Sequence, residues 1–99
     1  MSAQSQPVAV RCRLTPQGFT CEVTVGDDGE ATRHTVLVSQ DDLARFAPGH
    51  YDADELVTAS FAFLLEREPR EAILRRFELP VIERYFPGYE AHIRRAMAR

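Results

Sequence analysis

From Val8 onward apolar and polar residues alternate one by one, the pattern of a strand with one buried face. Val8, Val10, Cys12 and Leu14 fall on one side, and Ala9, Arg11 and Arg13 on the other. After Thr15-Pro16-Gln17-Gly18 the alternation resumes, with Phe19, Cys21, Val23 and Val25 against Thr20, Glu22 and Thr24. Two registers fit this turn. A type I turn with a bulge at Gly18 sets Leu14 opposite Thr20, whereas a four-residue loop sets Leu14 opposite Phe19 and keeps the apolar residues of both strands together. Burial selects the second register, which also puts Cys12 directly across from Cys21 and Arg11 and Arg13 near Glu22 on the wet face. Gly26-Asp27-Asp28-Gly29 is the next turn. Ala31 to Ser39 then reads as a third strand, with His34, Val36 and Val38 on one face and Arg33, Thr35 and Leu37 on the other.

Beyond Ser39 the apolar period lengthens to that of a helix. Ser39 and Asp42 match a capping box for a short helix over 40–47, which Pro48-Gly49 ends. Asp52 and Glu55 match a second, opening a helix whose broad face carries Ala53, Leu56, Val57, Ser60, Phe61, Leu64 and Leu65, with Phe63 at its margin. A stripe this wide predicts a central helix, packed on the sheet and overlain by later helices, with Ser60 allowing close approach. Pro69, Pro80 and Pro87 each restart the chain. The three helices they predict turn Ile73, Leu74 and Phe77, then Val81, Ile82, Tyr85 and Phe86, then Tyr89, Ile93, Ala96 and Met97 inward. The expected fold class is α+β: a three-stranded antiparallel β-meander followed by a short helix, a long central helix and three short proline-initiated helices. It forms a single domain over 1–99, with the meander in 7–39, the helical part in 40–99 and a small, polar, frayed start over residues 1–6.

Composition adds limits. Among 99 residues, 44% are hydrophobic and 27% charged, which suits a chain that folds around one core. The net charge is −3. Residues 1–52 hold seven acids and four arginines, and residues 53–99 hold eight of each, so charge does not favour a general grip on nucleic acid. All twelve basic residues are arginine, which reads as codon bias in a GC-rich genome. MSAQSQPVAV lacks the basic and long apolar regions of a signal peptide, and no apolar run is long enough to span a bilayer. A cytoplasmic protein with no membrane attachment is expected.

The chemistry-bearing residues are scattered. Cys12 and Cys21 lack CxxC spacing and, in a cytoplasmic protein, are expected as reduced small hydrophobes. His34, His50 and His92 fall in three different elements with no metal-ligand spacing, so neither a metal nor a cofactor is called for. His50 and Tyr51 lie in the one long loop and are the loop candidates for a small-molecule site, although Tyr51 also reads as a cover for the core edge and Asp52 as a cap. The acids Glu66, Glu68, Glu71, Glu78 and Glu83 alternate with arginines, as on a solvated helix surface, and Glu68, Arg70 and Glu71 suggest an ion-pair knot at a proline corner. Residues 70–86 could pass for a helix-turn-helix, but the second helix offers one arginine against one glutamate and apolar positions otherwise.

The stretch SFAFLLEREPREAILRRFELPVIERYFPGYE, Ser60 to Glu90, resembles the tail of a family of small bacterial proteins of unassigned function. The shared elements are FLLEREP, here Phe63 to Pro69, and YFP..E, here Tyr85-Phe86-Pro87 with Glu90. The resemblance implies a recurring domain and assigns no activity to any residue. The function expected from these residues is a small, non-enzymatic accessory or protein-interaction domain, with another protein or a second copy in a homodimer as partner. The aromatics gathered late in the chain motivate that reading. Its candidate interaction surface is Tyr85, Phe86, Tyr89, Arg94 and Arg95. The alternatives are a nucleic-acid-associated regulator, using arginines of the last helix or of Arg11, Arg13 and Arg33, and a small-molecule-binding domain or enzyme with its site near His50.

Overall fold

The computed structural model describes residues 6–98; apart from Gln6, the start expected to be frayed lies outside the described residues. Strands β1 (Val8–Thr15), β2 (Gly18–Val25) and β3 (Thr32–Ser39) form the expected antiparallel meander. Leu14 pairs with Phe19 and Cys12 with Cys21, the expected register, although Leu14 at the strand end is exposed rather than buried. The loop is tighter than expected, because Thr15 also pairs with Gly18 and leaves only Pro16 and Gln17 unpaired. Gly18 permits this: its φ is 144°, and a Cβ there would lie 2.3 Å from the Val38 carbonyl oxygen.

Cys12 and Cys21 are joined in a disulfide, with Cα atoms 3.9 Å apart, so the expectation of two reduced thiols is not met. Their direct opposition on adjacent strands brings the sulfurs within bonding reach.

A fourth strand corrects the expected fold. Residues 70–78 do not form a proline-initiated helix; Arg70–Ala72 make a single 3-10 turn, and β4 (Arg76–Glu78) adds to the sheet beside β3, parallel to it. The sheet is therefore mixed, in the order β1-β2-β3-β4, and the division into a meander and a wholly helical remainder does not hold. The physical reason is a short period of two just before Pro80: Phe77 and Leu79 are buried while Arg76 and Glu78 are exposed. Leu79 precedes Pro80, which disfavours helical geometry at that residue.

Among the described residues four helices complete the α+β fold: α1 (Gln40–Phe46), α2 (Asp54–Leu65), α3 (Val81–Tyr85) and α4 (Tyr89–Met97). The Ser39–Asp42 capping box forms, with Ser39 Oγ accepting from the Asp42 amide at 2.9 Å and Asp42 Oδ2 from the Ser39 amide at 3.0 Å. The Asp52–Glu55 box does not. Ala53 occupies the N-cap of α2 without a side-chain cap, and Glu55 faces His50 Nδ1 at 3.4 Å. Asp54 and Glu55 still favour the helix through its dipole.

Helix α2 lies between sheet and outer helices, touching β1 on one side and α4 on the other. Its buried Leu56, Val57, Ser60, Phe61 and Leu64 meet a core of Phe19, Cys21, Val23, Val25, Val36 and Val38 from the covered sheet face. Phe63, expected at the margin, is buried at the centre of an aromatic cluster with Phe86, Tyr89 and His92, at centroid distances of 6.0, 5.3 and 4.9 Å. Ala96 is exposed rather than inward.

Candidate functional site

Past Leu65 the chain leaves α2, turns at Pro69 and runs through β4 into α3, enclosing an apolar groove of about 270 Å³. Ile73, Phe77 and Ile82, all buried core residues, form its floor. Leu74 and Tyr85 stand on its rim with 46% and 65% of their surfaces exposed. Phe86 lines it half-buried. The rim is held by backbone: Phe86 N–H donates to Ile82 at 2.9 Å, and the Leu74 carbonyl accepts from His34 Nδ1 at 2.8 Å.

His34 is itself buried on β3, its ring tilted against that of Phe61 at a centroid distance of 5.3 Å. Because a carbonyl only accepts, Nδ1 carries the proton, and Nε2 accepts from the Thr32 hydroxyl at 2.9 Å. Burial lowers the His34 pKa below its ordinary value and keeps the ring neutral.

One acid enters the groove. Glu68 is half-buried on its wall, and desolvation raises its carboxyl pKa. Among the described residues its carboxylate has no hydrogen-bond or ion-pair partner. The expected knot forms without it. Arg70 turns instead to Glu71 at 3.3 Å and Asp28 at 3.4 Å, and its Nη1 reaches the Val25 carbonyl at 3.4 Å.

The sequence-predicted residues separate. Tyr85 and Phe86 reach the groove, whereas Tyr89 is fully buried and is no part of any surface. Its hydroxyl donates to Ser60 Oγ at 2.6 Å, and Ser60 donates onward to the Leu56 carbonyl at 2.7 Å. Burial drives the Tyr89 pKa well above the phenolic range, so it stays a neutral donor. Arg95 is exposed, but Arg94 donates to the Arg45 carbonyl at the end of α1. Arg45 in turn binds Glu83 at 2.7 Å and Glu90 at 2.6 Å, tying α1 to α3 and α4 and holding the Glu90 carboxyl below its usual range.

His50 donates from Nε2 to the Met97 carbonyl at 2.8 Å, fastening its loop to the end of α4. Tyr51 covers nothing, being 90% exposed, and Asp52 is exposed and caps no helix. A hollow of about 430 Å³ beside them is lined by Gly49, Asp54 and Glu55 as well as the three loop residues. Among the described residues no three His, Cys, Asp or Glu side chains gather as a metal site. No described helix is long and apolar enough to cross a membrane.

Residues 70–86 form no helix-turn-helix, because the first helix is replaced by the turn and strand of 70–78 and the second, α3, has five residues, one of them held by Arg45. The uncovered sheet face sets Arg11, Glu22, Thr35 and Arg76 in one cross-strand row, with Thr35 Oγ1 donating to Glu22 at 3.0 Å. It carries no aromatic residue on which a base could stack.

Leu74 and Glu68 are the groove residues that sequence reasoning missed. The signal was the alternation of Phe77 and Leu79 with Arg76 and Glu78, which argues against a helix that turns Leu74 inward. No protein-family model, curated protein or solved structure matches the chain.

Proposed function

We propose that this protein is a small, non-enzymatic accessory domain that binds another protein through the groove between α2, β4 and α3. The observation that carries the reading is the exposure of Leu74 and Tyr85, two large apolar side chains, beside a hollow whose floor is core. Apolar surface of this kind, rimmed by charge, marks association more often than catalysis. The Ser60–Glu90 segment, which resembles the small bacterial family, contains every residue that lines the groove. That likeness fits a binding surface shared within such a family.

The test is capture from native cell extract on immobilised protein, wild type against Leu74→Asp and Tyr85→Asp. A partner held by wild type and lost by both variants supports the reading, and one retained equally by all three refutes it.

A cytoplasmic home belongs to the same proposal and has its own check. Fractionation of native cells should recover the protein with cytoplasmic markers; recovery in an oxidising, extracytoplasmic fraction, where a Cys12–Cys21 disulfide persists, would overturn it.

A further inference from the structure

We infer that the groove's partner is a second copy of this chain, docked about a two-fold axis beside α3. The inference rests on the groove reading above and names its occupant. One patch holds both halves of a self-complementary contact. The hollow is floored by Ile73, Phe77 and Ile82, and the knob beside it is Tyr85, 65% exposed. In an isologous pair residue i meets j and j meets i, so each copy's Tyr85 enters the other's hollow.

The charges follow the same logic. Glu68 on the groove wall and Arg84, next to Tyr85, have no side-chain hydrogen bond or ion pair among the described residues. Their neighbours are already engaged: Arg45 with Glu83 and Glu90, Arg67 with Glu66, and Arg70 with Asp28 and Glu71. The two-fold arrangement supplies both missing partners at once, Glu68 of each copy meeting Arg84 of the other. An ion pair at an apolar, half-buried wall is screened less than one in open water. A hollow of about 270 Å³ seats one aromatic side chain, so the contact centres on a single anchor from each copy rather than on a broad interface core. The association is therefore weak and reversible, with a dissociation constant on the order of micromolar or above.

Sedimentation equilibrium of the full chain, from roughly 10 µM to 1 mM, tests it. The mean mass should climb from 11.2 kDa toward twice that value. Glu68→Arg and Arg84→Glu should each hold the chain at monomer mass while melting like wild type. An equimolar mixture of the two variants should associate again, since it restores both cross-copy pairs, and so should a chain carrying both changes. Wild type that stays at monomer mass overturns the inference. So does association that ignores Arg84→Glu, an exposed position that folding tolerates, or a mixture that remains monomeric. A monomeric wild type that still captures another protein in a Tyr85-dependent manner would leave the groove reading standing and remove only the second copy as its occupant.

Discussion

The Tyr89 hydroxyl stands 2.6 Å from Ser60 Oγ, both fully buried, in the seam where α4 closes over α2. Ser60 leaves room for the ring, and the ring's only polar atom ends on Ser60. Tyr89→Phe removes the donor but leaves Ser60 bonded to Leu56, so the cost should be about 1 kcal/mol by urea denaturation. Tyr89→Ala empties the space against Phe46 and Phe63 and should cost about 3–5 kcal/mol.

Gly26 has a φ of 97°, and a Cβ there would lie 2.0 Å from Arg70 Nη1. Gly26→Ala must therefore adopt a strained backbone and push aside the guanidinium that links the 3-10 turn to the β2 end. A loss of roughly 1–2 kcal/mol is expected in thermal melts. Gly18→Ala should cost more, because the clash there is with the Val38 backbone, which cannot swing away.

The Cys12–Cys21 bond closes a short loop, nine residues apart in sequence. In the chain-entropy account such a bond stabilises by about 2.5–3 kcal/mol. Unfolding free energies from denaturant titrations with and without reductant should differ by that amount, and Cys12→Ser with Cys21→Ser should match the reduced form and ignore reductant.

His34 predicts a pH effect of definite sign. Its folded pKa lies below the ordinary 6.5, so between the two values the unfolded chain holds a proton that the folded chain does not. Stability from this residue is complete above the unfolded pKa and is lost as pH falls below it. The Thr32 hydroxyl can rotate to accept from a protonated Nε2, so the cost comes chiefly from burying the charge, with Arg75 adding repulsion. Melting temperatures should drop from pH 7.5 to pH 5.5 more steeply in wild type than in His34→Gln, and equal slopes would contradict this assignment.

Much of the fold was legible from local chemistry. The alternation through Val8 to Val25 and burial together set the Leu14–Phe19 register, and Ser39 with Asp42 marked a helix start that forms as read. Residues 70–79 were misread because prolines signal helix starts and short apolar runs fit either period; pairing with β3, a contact across 40 residues of chain, decides for strand. The site was half legible. Tyr85 and Phe86 were seen, but Tyr89 looks like them in sequence and is buried by α2, while Leu74 and Glu68 become surface features only once β4 exists. The disulfide was missed because an N-terminus without a signal-peptide pattern spoke for a reducing compartment, although the register had already placed the two cysteines face to face.

Three surfaces compete for function, and one comparison separates them: capture of the partner by wild type and by Tyr85→Asp on the groove, Tyr51→Asp on the His50 loop and Arg33→Glu on the open sheet face. All three side chains are exposed, so the variants should melt like wild type. The account predicts that Tyr85→Asp alone loses the partner, by tenfold or more. Binding that survives Tyr85→Asp and fails in Tyr51→Asp or Arg33→Glu would contradict it.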